Sequence, residues 1–264
     1  MHLQALLLPT LVTPFVLYLA LLAQRRAGPE AAGLVAALPV QLAIGGVGVA
    51  MGLGNAATAT FGLVASTYLA AQVAYGVAFA TGVRKGGASI ALLGSLGTYA
   101  LLTLLLHAVA PAIAAGVGAI ALIIGTRAVQ PSRQAAGSAR SGAEVPAAVT
   151  IALSTIVVLA VLVLVQFAGP QAGGFLAAVP VMSSTLSLVL LRSHGRQAAA
   201  TTMGGMIRGL PAYYVFALAM ALFAQPLGAV GAGLLGLALS LSTAGMTWRF
   251  GMGRERSLSQ AVWA

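Results

Sequence analysis

Long apolar stretches separated by short polar gaps make up this chain from end to end. A helix that crosses a bilayer needs about 20 predominantly apolar residues. By that measure the pattern predicts nine transmembrane helices in an all-α, polytopic integral membrane protein. The predicted spans are residues 4–23, 33–53, 57–82, 88–107, 110–126, 147–168, 173–191, 198–223 and 227–247.

Basic residues divide the gaps between these spans into two kinds. Every second gap, starting with the first, holds Lys or Arg, as does the C-terminal tail, and the other gaps hold neither. Because Lys and Arg stay on the cytoplasmic side, this alternation predicts an N-terminus outside and a C-terminus inside a bacterial-type inner membrane. Arg25 and Arg26 follow the first apolar run, which is therefore interpreted as an anchor and not as a cleaved signal peptide.

The composition agrees with this class of protein. Hydrophobic residues make up 60% of the 264 residues and charged residues only 6%, whereas a soluble domain carries about 25% charged residues. The net charge of +10 is assigned to cytoplasmic loops facing the lipid bilayer. Nucleic acid is not expected as a partner, because no basic face with interleaved aromatic residues occurs.

Groups that could perform chemistry are scarce. The chain has no Cys and no Asp, and its only acidic residues, Glu30, Glu144 and Glu255, each lie near Arg in a polar gap. An intramembrane carboxylate relay is therefore not expected. No metal-ligand spacing, phosphate-binding loop or nucleophile motif occurs in a suitable context. We predict no catalytic residue, no metal, no cofactor and no enzymatic activity.

A segment of the first half returns in the second half. Residues 33–40, Gly-Leu-Val-Ala-Ala-Leu-Pro-Val, recur at 174–181 as Gly-Phe-Leu-Ala-Ala-Val-Pro-Val. We call the shift that takes residue 33 to residue 174 the repeat offset. At this offset, spans one to four align with spans six to nine, and span five has no counterpart. An odd linking span would place the second copy upside down relative to the first, which is an inverted-topology repeat.

This 4+1+4 arrangement divides the chain into five parts. The first four-helix repeat is assigned to residues 1–108 and the linking transmembrane helix to residues 109–127. A cytoplasmic linker follows at 128–146, then the inverted second repeat at 147–248 and a cytoplasmic tail at 249–264.

Two segments carry a resemblance to a known group of proteins. Residues 32–39 contain a Gly followed six positions later by a Pro, and residues 204–214 begin with Gly-Gly-Met and end with Pro-Ala-Tyr-Tyr. Both resemble blocks of the GlpM-like, or DUF3147-like, small four-helix membrane proteins. Each half would correspond to one such protein, although Leu-Ala-Ala at 69–71 replaces the Pro-Tyr in the first half. The resemblance implies a fused pair of four-helix units and no defined activity.

Arg208 is the one Lys or Arg inside a predicted span. If the span begins at Ala198, Arg208 lies about 15 Å along it, near the middle of a hydrocarbon core about 30 Å thick. A cation there usually marks a substrate path, and with no acid expected in any span, an anionic ligand would neutralise it. Two alternatives stay open: a span that begins at Gly209, with Arg208 reaching the headgroups, and an Arg bonded to helix carbonyls.

Pro39 and Pro180 occupy equivalent positions early in their spans. Proline lacks a backbone donor and can break a helix, and broken helices form the sites of inverted-repeat transporters. We therefore predict a central substrate site at the two breaks. The alternative is that each proline starts a helix beside hydroxyls bonded to their own backbone. The polar candidates for this site are Arg208, Gln41, Ser183, Ser184, Thr185, Gln72 and Tyr213.

Together these features favour a permease or secondary transporter for a small anionic or amphipathic solute, with its site between the inverted repeats. A narrow passive anion channel is the first alternative, although a pore needs a continuous polar lining that these spans hardly provide. The second alternative is a non-transporting, lipid-handling or partner subunit of an envelope-polymer system. Assembly as a homo-oligomer or with such an envelope system is left open.

Overall fold

The computed structural model describes residues 3–128, 146, 148–153, 155–157, 159–160, 163–164, 175–176 and 178–260. No strand occurs in these residues, which confirms the predicted all-α class. Most of the predicted linker 128–146, much of the sixth span and the last residues of the tail lie outside the described part. The helices are α1 (Leu3–Ala27), α2 (Pro29–Ala36), α3 (Val40–Thr67), α4 (Leu69–Gly86), α5 (Ala88–His107), α6 (Pro111–Ala128), α7 (Val181–Phe223) and α8 (Gly228–Gln260).

Four helical stretches in the described residues are long and apolar enough to cross a membrane. Two of them hold 58 and 43 residues, at least twice the about 20 that one crossing needs. Each of these two contains a glycine with non-helical geometry, Gly54 in α3 and Gly195 in α7. The division into nine crossings stays a prediction. The four stretches are Pro29–Gly86, Ala88–His107, Val181–Phe223 and Gly228–Arg249.

The outer faces of the helices are apolar. Leu93 and Leu104 on α5 are 73% and 72% exposed, and Val230 on α8 is 78% exposed. Contiguous apolar surface of this kind is rare on a soluble monomer. These faces suit contact with lipid chains, in agreement with the composition of a membrane protein.

The helix breaks before α3 and α7 share one geometry. Pro39 and Pro180 cap these helices with φ of −76° and −79° and ψ of 41° and 59°. In each case the first helical residue donates to the carbonyl two residues earlier, at 2.7 and 2.8 Å. Helix α2 begins at Pro29, four residues before the predicted span. Pro39 therefore lies close to the middle of the stretch from Pro29 to Gly54, and not early in its span as predicted.

Glycines in the left-handed region mark further helix boundaries. Gly54 and Gly195, which are also related by the repeat offset, have φ of 79° and 86°, a conformation that is costly for a residue with a β-carbon. Gly87 and Gly228, just before α5 and at the start of α8, are related in the same way and also have a positive φ. Both halves of the chain therefore change direction at corresponding residues.

The short helix α2 lies against the middle of α7 with almost no side chain between the two backbones. A β-carbon on Gly33 would overlap the Thr202 carbonyl, and one on Gly205 would overlap the Glu30 carbonyl. Gly209 continues this contact towards the end of α2. Small residues allow such close approach between helices, and the contact holds the break that follows α2 next to α7.

Candidate functional site

The two helix breaks meet at one cavity. Pro39 and Pro180 both line it, although they lie in different halves of the chain. Ten of its described lining residues form five pairs related by the repeat offset, so the two halves contribute equivalent positions to one site. The pairs are Ala37 with Ala178, Leu38 with Val179, Pro39 with Pro180, Gln41 with Met182, and Gln72 with Tyr213.

The cavity is small, and no charged side chain is among its described lining residues. Its volume is about 30 Å³, enough for roughly one water molecule. A larger solute therefore enters only after the helices around the cavity move apart.

Each break leaves backbone groups without the partners that a continuous helix supplies. The carbonyls of Ala37 and Ala178 receive no hydrogen bond from the described part of the chain. The N–H groups of Gln41 and Met182, in the first turns of α3 and α7, donate none to it either, and no side chain caps these helices. Unpaired backbone donors and acceptors therefore occur together on residues that line the cavity.

Polar side chains add to these backbone groups. Gln41 Nε2 and the Tyr213 hydroxyl are buried and have no hydrogen-bond partner among the described residues. Gln72 is 2% exposed and lies beside the Tyr213 hydroxyl without completing a hydrogen bond to it. A buried polar atom without a partner costs about 1–3 kcal/mol, and a bound water or ligand is one explanation for it.

The three consecutive hydroxyls at the start of α7 have different surroundings. Ser183 is 2% exposed and lines the cavity. Ser184 and Thr185 donate to carbonyls four residues earlier, at 2.6 and 2.9 Å, and Ser184 also accepts a hydrogen bond of 2.7 Å from Tyr75. These two hydroxyls are thus bonded to their own backbone, as the alternative interpretation expects.

Arg208 does not line the cavity and instead forms an ion pair with Glu30. Their side chains are 14% and 26% exposed. The expectation that no acid would neutralise Arg208 is corrected, because α2 starts before the predicted span and places Glu30 in its first turn, against α7. Helix α7 also continues through Gly209 without a break there, and the residue of α7 at which the membrane span begins stays a prediction.

Two contacts near the cavity were not predicted from the sequence. Tyr75, three residues after Gln72 on α4, donates to Ser184, and Tyr99 on α5 donates to the Phe175 carbonyl at 3.1 Å. The spacing of three residues, which places Gln72 and Tyr75 on one helix face, was the available signal for the first contact. The second joins α5 to a residue just before the break at Pro180, and no local pattern indicates it.

No protein-family model matches the sequence, and no curated protein and no solved structure matches it either.

Proposed function

We propose that this chain is an integral membrane permease, a secondary transporter that carries a small amphipathic solute through the cavity between its two halves. The observation that carries this proposal is the composition of the cavity wall. Two helix breaks, one in each half, supply four of the five equivalent pairs around one cavity, and Gln72 with Tyr213 is the fifth. Discontinuous helices that meet near the middle of a membrane are the usual sites of substrate binding in inverted-repeat transporters.

The mechanism we propose is alternating access between two inverted halves. If the second half is inverted, the two halves can exchange conformations, so that a state open to one side converts into a state open to the other. The cavity of about 30 Å³ then corresponds to a contracted state of the site. The unpaired polar atoms of Gln41 and Tyr213, together with the Gln72 amide, would bind the solute when the helices separate.

Between the two solute classes predicted from the sequence, the geometry favours an amphipathic solute over an anion. The anion depended on the positive charge of Arg208, and that charge is paired with Glu30 outside the cavity. The described cavity wall is mainly apolar, with a few hydrogen-bonding groups, which is the usual composition of a site for a small organic molecule.

The contact between α2 and α7 is a good candidate for the barrier on one side. It combines the Arg208–Glu30 ion pair with close glycine packing. At the corresponding positions of the other half stand Thr67 and Gln171, which cannot form an ion pair. The predicted cytoplasmic barrier would therefore be stronger than the outer one, and opening it would require the ion pair to break.

Solute uptake into proteoliposomes tests this proposal. Saturable uptake by the purified protein, absent from protein-free vesicles, would support a carrier. Flux that rises linearly with concentration would favour the narrow channel instead. Absence of both flux and binding for a broad solute panel, with the protein still folded, would contradict transport and favour a partner subunit of an envelope-polymer system.

The proposed orientation is tested separately. In a bacterial inner membrane, reporter fusions should place the N-terminus outside and the C-terminus in the cytoplasm, as the distribution of Lys and Arg predicts. Both termini on one side would exclude an odd number of spans and with it the inverted second half.

A further inference from the structure

We infer that the cavity binds a solute that has no net charge and carries both hydrogen-bond donors and acceptors. This inference rests on the proposed function and narrows its substrate class. It follows from the charge of the cavity, from the backbone ends that reach it, and from one buried hydroxyl without a partner.

The described lining of the cavity has no net charge. None of its described lining side chains is acidic or basic, and the nearby Arg208 is neutralised by Glu30. Moving an ion from water into such a site without a counter-charge is strongly unfavourable. An isolated anion or cation is therefore a poor ligand for this cavity.

The partial charges of the helix ends at the cavity also offset each other. A helix N-terminus has a partial positive charge and a helix C-terminus a partial negative one. The first break brings both to the cavity, since α2 ends and α3 begins there, and the described residues around Pro180 repeat this geometry. The two breaks therefore offer hydrogen-bond acceptors and donors in equal number. The acceptors are the carbonyls of Ala37 and Ala178, and the donors are the N–H groups of Gln41 and Met182.

The Tyr213 hydroxyl provides an independent indication of a ligand. The residue is only 6% exposed, it lines the cavity, and its hydroxyl has no partner in the described part of the protein. A hydroxyl can donate and accept, as can the Gln72 amide beside it. Amides, polyols and zwitterions share the matching chemistry, because each combines donors and acceptors with zero net charge.

The experiment compares four labelled solutes in proteoliposomes: acetamide, glycerol, glycine and chloride. We expect saturable uptake of at least one of the first three. Glycine alone would identify a zwitterion site, whereas acetamide or glycerol would identify a neutral one. Chloride as the only substrate would overturn this inference while leaving a transporter.

Two tyrosine variants test the site itself. Tyr213→Phe removes only the unpaired hydroxyl, and we expect KM to rise about three- to tenfold, the value of one neutral hydrogen bond. Tyr214→Phe is the matched control, because its hydroxyl donates to the Ala115 carbonyl at 3.1 Å and does not line the cavity. An equal effect of both variants on KM would overturn the role of Tyr213.

Binding in detergent separates the solute site from the transport function. If no solute is taken up but one of the uncharged solutes raises the Tm of the purified protein, the binding site stands and the transport function fails. If no solute is taken up and none raises the Tm, both fail.

Discussion

Gln72 and Tyr213, from opposite halves of the chain, lie side by side in the wall of the same cavity. They occupy equivalent positions in the two halves, on α4 and α7. Their chemistry differs, however, since one is an amide and the other a phenol. The cavity therefore has equivalent positions on its two sides but different chemical groups at them. This difference would give a bound solute a single preferred orientation.

The first prediction concerns the cost of the unpaired hydroxyl. Tyr213→Phe should raise the Tm of the protein without solute, because the variant removes a buried polar atom that lacks a partner. Tyr214→Phe should lower the Tm, since it removes the hydrogen bond that its hydroxyl donates to the Ala115 carbonyl. Thermal unfolding of both variants in detergent measures this. A lower Tm for both variants would mean that the Tyr213 hydroxyl has a structural partner.

The second prediction concerns the ion pair between α2 and α7. Glu30→Gln leaves Arg208 without its acid, and we expect a loss of about 1–3 kcal/mol in the free energy of unfolding. This is less than the roughly 3–5 kcal/mol typical of a fully buried pair, because about a quarter of the Glu30 side chain is exposed. Denaturant unfolding gives the value.

The control for the ion pair is the double variant Glu30→Gln with Arg208→Met. It removes both charges and should recover part of the stability lost by the single variant. The single variant Arg208→Met gives the cost of that substitution alone. If the double variant is less stable than Glu30→Gln by the same amount, the two residues act independently.

The third prediction concerns the close contact of α2 with α7. Gly205→Ala should destabilise the protein by about 1–3 kcal/mol, since the new methyl group would overlap the Glu30 backbone. Gly97→Ala on α5 is the matched control: its β-carbon would have no atom within 4 Å, and alanine favours a helix by up to about 1 kcal/mol over glycine. Similar Tm values for the two variants would contradict the described packing.

The fourth prediction concerns the turn at Gly195. Gly195→Ala meets no atom within 4 Å, so its effect depends on the backbone alone. At a φ of 86° and a ψ of −179° we expect a cost of about 1–3 kcal/mol, because this region is almost exclusive to glycine. Gly52→Ala, equally unobstructed but without a positive φ, should be neutral or stabilising. If the two variants were equally stable, the φ of residue 195 would have to be helical, which would contradict the described turn.

The sequence predicted the residues that line the cavity better than it predicted where the helices begin and end. Pro39, Pro180, Gln41, Gln72, Ser183 and Tyr213 were predicted from the repeat and from their polarity, and all six line one cavity. The constant repeat offset was the signal, because equivalent positions of two halves meet where the halves pack together. Their role in binding a solute stays a prediction.

Long-range pairing could not be predicted in the same way. Glu30 and Arg208 are 178 residues apart, and only the packing of α2 on α7 through Gly33 and Gly205 brings them together. Hydropathy placed the start of the span after Glu30, because an acidic residue interrupts an apolar run whether or not a partner neutralises it. Likewise, Ser184 and Thr185 could not be distinguished from Ser183 until their backbone hydrogen bonds were known.

The most direct test of the central claim is the accessibility of residue 183 from each side of the membrane. The chain contains no cysteine, so Ser183→Cys introduces a single thiol into the cavity wall, and Ser184→Cys, one residue further and outside it, is the control. A membrane-impermeant thiol reagent should label residue 183 from either side and the control from neither, and the transported solute should protect it. Labelling of residue 183 from only one side, or from neither, would contradict a cavity that opens alternately to both.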